Sequence, residues 1–190
     1  MRFLLFGMLC IFLASCANSK DEKKVISKHS NAFNGSVQSA MDSYHALTED
    51  FVNWDSGKAV QEAKRLQTRL DSIRLDEFKN EIRGTAEGSI DLAKKDLEAM
   101  QVNNGMTDKR HGLNSLTQNL YDFLRAVQYD EKKIYLDECP MAFTNRGHGL
   151  WLSEVDSIRN PYLGLHHPTY GKAMIDCGDK KSTIDYTTTK

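Results

Sequence analysis

From about Val37 the chain alternates apolar and polar positions with the period of an α-helix. Val37, Ala40, Met41, Tyr44, Leu47 and Phe51 recur at spacings of three and four, which puts them on one helical face. Asn53-Trp54-Asp55-Ser56-Gly57 interrupts the run, and Asp55 or Ser56 is suited to cap a second helix by accepting from its free amide groups. That helix carries the stripe Ala59, Val60, Ala63, Leu66, Leu70 and Ile73, while Arg65, Arg69 and Asp71 fall off the stripe and should face water. A third run, Ile82, Ala86, Ile90, Ala93, Leu97 and Met100, keeps the period across Gly84 and Gly88. Each glycine costs about 1 kcal/mol relative to alanine in a helix interior, and small residues here are expected to permit close helix packing. Asn103-Asn104-Gly105 is a turn signal. Thr107 or Asp108 then opens a fourth helix with Leu113, Leu116, Leu120, Phe123, Leu124 and Val127. Four amphipathic helices joined by short turns cover their apolar faces most simply as an antiparallel bundle, so the expected fold is all-α, a four-helix up-and-down bundle over 35–130.

The period changes after Tyr129-Asp130. Ile134-Tyr135-Leu136 is β-prone, and Gly147-His148-Gly149 marks a turn before Leu150-Trp151-Leu152. All three prolines, Pro140, Pro161 and Pro168, lie in this part, which rules out one long helix. Residues 131–180 are expected to form a small irregular C-terminal lobe containing short β segments, sealed onto the bundle by Tyr162, Leu163 and Tyr170. The threonine- and lysine-rich end, 181–190, is expected to be a disordered tail.

The first residues read as an address. Arg2 precedes an apolar run from Phe3 to Leu13, too short to span a bilayer, and Leu13-Ala14-Ser15-Cys16 follows. That tetrad resembles the lipobox of bacterial lipoproteins, which implies a signal peptide over 1–15 and a lipid on Cys16. Residues 16–34 are then expected to be the lipidated N-terminus and a flexible tether. The implied location is the bacterial envelope, on the outer membrane facing the periplasm, with the membrane as a partner through the anchor. Ser19-Lys20-Asp21-Glu22 is similar to surface-export signals, so exposure on the cell surface is the alternative.

At 190 residues, 27% charged and net charge -1, the chain has the size and balance of one folded domain with appendages. It lacks the concentrated basic face that nucleic acid binding requires, so no nucleic acid partner is expected. Cys10 goes with the signal and Cys16 with the lipid, which leaves Cys139 and Cys177 as the thiols of the mature body.

No glycine-rich phosphate loop, His-Glu-x-x-His helix or Gly-x-Ser-x-Gly elbow occurs. Cys139 as nucleophile with His148 as base would need a depressed thiol pKa and an orienting group that the sequence does not show. The expectation is therefore a protein that is not an enzyme. A metal site is better supported. In an extended segment Cys139 and Met141 would project from one side, and Met174 and Cys177 could share one helical turn. Sulfur from both pairs would suit copper(I) or silver(I), with zinc open if His148, His166 or His167 joins the thiolates. The same two cysteines could instead form a Cys139–Cys177 disulfide, worth about 3 to 4 kcal/mol by loop closure, with no metal at all.

The series Cys139-Pro140-Met141-Ala142, Gly149-Leu150-Trp151-Leu152-Ser153, Ile158-Arg159-Asn160-Pro161-Tyr162-Leu163-Gly164 and Met174-Ile175-Asp176-Cys177-Gly178 resembles the C-terminal signature of the domain of unknown function numbered 3347. That family occurs as bacterial lipoproteins and as a domain attached to periplasmic adaptors of copper and silver efflux systems. The resemblance implies a four-helix bundle and a role in heavy-metal handling, with Cys139, Met141, Met174 and Cys177 as ligands and an efflux adaptor as partner. Here Leu165 to Tyr170 lengthens the connection between Tyr162 and Met174 relative to the shortest signature. The competing expectation is a structural or protein-interaction lipoprotein with the disulfide.

Overall fold

The computed structural model describes residues 26–102, 105–144 and 147–188. The expected signal segment, Cys16 and the first part of the expected tether lie outside the described residues. Four helices come first, α1 (Asn31–Val52), α2 (Ser56–Asp71), α3 (Asn80–Val102) and α4 (Met106–Ala126), followed by strands β1 (Ile134–Cys139), β2 (Gly149–Ser153) and β3 (Asp179–Ile184). None of the described helices is long and apolar enough to cross a membrane.

The apolar stripes read from the sequence are largely the core. Val37, Met41, Tyr44, Leu47 and Phe51 of α1, Ala59, Ala63, Leu66 and Leu70 of α2, Ala93, Leu97 and Met100 of α3, and Leu113, Leu116, Leu120 and Phe123 of α4 are buried together. Asp55 caps α2, its carboxylate accepting from the amide of Lys58 at 2.9 Å. Helices consecutive in sequence pack on one another, and β2 lies against α4 and α1. Gly84 and Gly88 face open space, so they do not serve close packing as expected. Ile82, counted on the α3 stripe, is exposed.

Helix α1 begins at Asn31, inside the stretch expected to be tether. The Ser30 hydroxyl accepts from the amide of Phe33 at 3.1 Å and supplies the cap. Residues just before it are tied down as well. The Ser27 hydroxyl and the Lys28 amide donate to Asp130, the latter at 2.9 Å, and His29 Nδ1 meets Glu77 at 3.1 Å. The tail expectation also needs correction, because Lys181 to Ile184 complete β3 instead of fraying.

The sheet is antiparallel in the order β2-β1-β3. Strand β2 is an edge, yet its outward amides are satisfied by helix side chains. Leu152 N–H donates to the Tyr44 hydroxyl at 3.0 Å and Leu150 N–H donates to Asn114 Oδ1 at 2.8 Å. Tyr44 Oη also meets the Thr117 hydroxyl at 2.7 Å, so one phenol joins α1, α4 and the sheet. Between Leu136 and Asp137 the pairing with β3 shifts register, and both residues are buried. Neither Asp137 oxygen has a hydrogen-bond partner among the described residues. Burial raises its carboxyl to about 6, with Lys180 pulling the other way.

Candidate functional site

The lobe is held by Asn160, which is fully buried. Its amide N–H donates to Ile175 O at 2.8 Å, its side-chain Nδ2 donates to Cys177 O at 2.6 Å, and its Oδ1 accepts from the amides of Tyr162 (2.8 Å) and Leu163 (3.0 Å). One side chain thus ties the Pro161 turn to the turn that carries Cys177. That second turn contains an i→i+3 bond from Cys177 N–H to Met174 O at 3.2 Å. Gly178 follows at φ 146°, and a Cβ there would meet Glu138 O at 2.9 Å and the Trp151 ring at 2.8 Å. Only glycine lets the backbone come this close to β1 at that dihedral.

The result is that Cys177 reaches Cys139 at the end of β1. Both cysteines are unbonded thiols, Cys139 buried and Cys177 half-buried. The Cys177 thiol is pushed up, first by burial and then by the neighbouring Cys139 thiol, which acts through charge and as a hydrogen-bond partner. Arg110 is electrostatically coupled to Cys139 and Tyr162.

The other predicted ligands distribute differently. Met141 is 45% exposed, because β1 ends at Cys139 and Pro140 starts a turn, so the alternation of an extended strand does not reach it. Met174 is half-buried against the core on the turn shared with Cys177. Met141 lines a cavity of about 570 Å³ to which Met174, Cys139 and Cys177 do not contribute. His148 pairs through Nδ1 with Glu138 at 2.8 Å, and His166 is exposed. His167 Nδ1 accepts from the amides of Thr169 (3.1 Å) and Tyr170 (3.3 Å). Among the described residues no three His, Cys, Asp or Glu side chains converge as a metal would need. Two adjacent thiols fit a soft monovalent ion, which accepts few sulfur ligands; the four-ligand shell of structural zinc has fewer donors at hand here. Tyr170, expected to seal the lobe, is 45% exposed, whereas Tyr162 and Leu163 are buried.

The cavity beside the thiols is walled by Trp54, Thr107, Arg110, His111, Phe143 and the His167–Tyr170 turn, among others. Trp54 sits in the left-handed region at φ 57°, its indole N–H donating to Leu163 O at 3.2 Å. Gly164, at φ 56°, lies so close that a Cβ would meet Val52 O at 2.5 Å and the indole at 2.9 Å. The Arg110 guanidinium lies over the Trp54 ring with Cζ 3.9 Å from its centroid. His111 stacks on Phe143 at 4.0 Å, and His167 stacks on Tyr170 at 4.8 Å. Burial lowers Arg110 to about 10, partly offset by Tyr162 and Cys139, so it stays charged at neutral pH. His167 is lowered by burial and by Arg110, which favours its neutral ring.

Sequence reasoning missed Arg110 and Asn160. The signal for Arg110 is its place on the α4 stripe, where Arg110, Leu113, Thr117, Leu120 and Leu124 follow at three- and four-residue steps. Asn160 was visible as the residue before Pro161, where a short side chain can bond the following amides.

Residues 40–132 match the family model described as "Protein of unknown function (DUF3347)". The match covers the bulk of the helical part and stops before the cysteine lobe. No curated protein and no solved structure matches the chain.

Proposed function

On the premise that residues 40–132 support the DUF3347 family, we propose that this chain is a non-enzymatic lipoprotein of the bacterial envelope that takes up a soft monovalent cation, copper(I) or silver(I), at Cys139 and Cys177. In this reading Cys16 carries the lipid, the helices form an up-and-down bundle, and a heavy-metal efflux adaptor is the partner. The observation that carries it is the adjacency of two unbonded thiols delivered by distant parts of the lobe. Thiolates are the donors soft ions prefer, and binding releases protons from sulfur, so affinity should fall with pH. Met174, on the Cys177 turn, is the nearer candidate for a third sulfur; Met141, out on the cavity wall, is the weaker one.

Anaerobic copper(I) titration of the reduced protein against a colorimetric chelator tests this. Cys139→Ser and Cys177→Ser should each abolish tight binding, Met174→Leu should weaken it, and Met141→Leu should leave it nearly unchanged. Equal affinity in wild type and Cys177→Ser would sink the proposal.

The same adjacency, together with the export signal, supports a second reading in which the thiols close to a structural disulfide and the lobe serves protein interaction. Thiol titration of protein isolated without reductant separates the two: absence of free thiols in the mature body favours the bridge.

A further inference from the structure

The cavity holds a feature that the thiols do not use. Arg110 is only 6% exposed, and its Nε and Nη2 are sealed from solvent without an acceptor among the described residues. No carboxylate among them lies within ion-pair distance of it. A buried charge without a counter-ion is costly unless something balances it. No aspartate or glutamate is among the residues lining the cavity, so nothing on its walls balances the Arg110 charge, and a guanidinium is well matched to a planar carboxylate.

The surroundings narrow the ligand. Trp54 holds the guanidinium against one face of its ring. The remaining walls include the ring systems of His111, Phe143, His167 and Tyr170. With Nδ1 of His167 engaged by two backbone amides, the proton of its neutral ring sits on Nε2 as a further donor. The volume, about 570 Å³, is in the range that encloses small organic molecules.

We propose that this cavity is a binding site for a small organic carboxylate with a flat apolar body, held by the charge of Arg110 between aromatic walls. The site is independent of the metal reading, since neither cysteine lines it.

The test is titration of the reduced, metal-free protein with benzoate, with benzamide as the neutral isostere and inorganic phosphate as an anion without an apolar body. Intrinsic tryptophan fluorescence and the ¹⁵Nε resonance of Arg110 are read in parallel. Benzoate is expected to saturate both signals and to shift the Arg110 resonance, with benzamide binding about tenfold or more weakly, because each 1.4 kcal/mol of lost charge-assisted bonding is tenfold. Arg110→Met should lose benzoate binding by a similar factor. Should that variant fail to fold, the wild-type Arg110 resonance still decides between benzoate and benzamide. The proposal is overturned if benzoate moves neither signal, if benzamide binds as well, or if phosphate binds and benzoate does not.

Discussion

Removing the charge from Asp137 should stabilise this protein at neutral pH and leave it unchanged in acid. The bulge between Leu136 and Asp137 turns the carboxyl into the interior, where it is 1% exposed and both oxygens lack partners among the described residues. Burial lifts it from 3.8 to about 6, against the pull of Lys180. In the unfolded chain it titrates near its ordinary value, so between about pH 4 and 6 the native state binds the extra proton. Stability therefore falls as pH rises through that window, by up to about 1.4 kcal/mol per pH unit, and levels off above 6. A displacement of roughly two pH units corresponds to about 3 kcal/mol, an upper figure because lysine relaxation and water entry would reduce it. Asp137→Asn keeps the shape and removes the ionisation. Urea unfolding of both proteins from pH 4 to 8, followed by circular dichroism, should give equal stabilities near pH 4 and an advantage of about 1 to 3 kcal/mol for the asparagine protein at pH 7. A difference that stays constant from pH 4 to 8 would refute the assignment of Asp137 as a buried, unpartnered acid.

Other consequences can be measured in the same way. Tyr44→Phe removes the acceptor for the Leu152 amide and the partner of Thr117; we expect a loss of about 1 to 3 kcal/mol in chemical denaturation, since a buried donor is left unmet. Asn160→Ala should cost at least about 2 kcal/mol and raise the reactivity of Cys177 toward a thiol reagent, because the turn holding it loses its side-chain bond. Gly178→Ala should separate the two thiols, lowering the rate of oxidative closure far more than Gly171→Ala, whose added carbon meets open space at a milder φ of 54°. Glu154, though burial alone would raise it, is held at about 2 by His45 and Lys132. Its contribution is fully present above pH 4.5 and lost as pH falls toward 2, so Glu154→Gln should flatten the acid limb of the stability profile.

The helices were legible because burying one face imposes a 3.6-residue rhythm that single residues cannot hide. Asp55 could be read as a cap for the same reason, since few side chains accept from free amides at a helix start. The start of α1 was not, because Asn34, Gly35 and Ser36 favour turns by propensity and are overruled by burial of Phe33 against Phe78 and by the Ser30 cap. Strand β3 was illegible for a related reason. Asp179-Lys180-Lys181-Ser182-Thr183 has no apolar alternation of its own, and it is a strand only because β1 offers a ladder to pair with. Cys139 and Cys177 were legible as a possible pair because they are the two cysteines left after Cys10 and Cys16, whereas the placement of Met141 depended on where Pro140 stops a strand, which spacing does not reveal. Arg110 and Asp137 escaped because charged residues read as solvent-facing unless their helical or bulged position is followed explicitly.

The two rims of the sheet differ in what they permit. Along β2 the amide groups that an incoming strand would seek are already spoken for by Tyr44 and Asn114. Any polymer built by adding strands from another molecule would therefore have to grow from β3, where Lys180 and Lys181, paired with Asp156 and Glu138, put charged side chains on the rim. At high concentration such a chain is protected against fibre formation by hydrogen-bond saturation on one side and by charged side chains on the other.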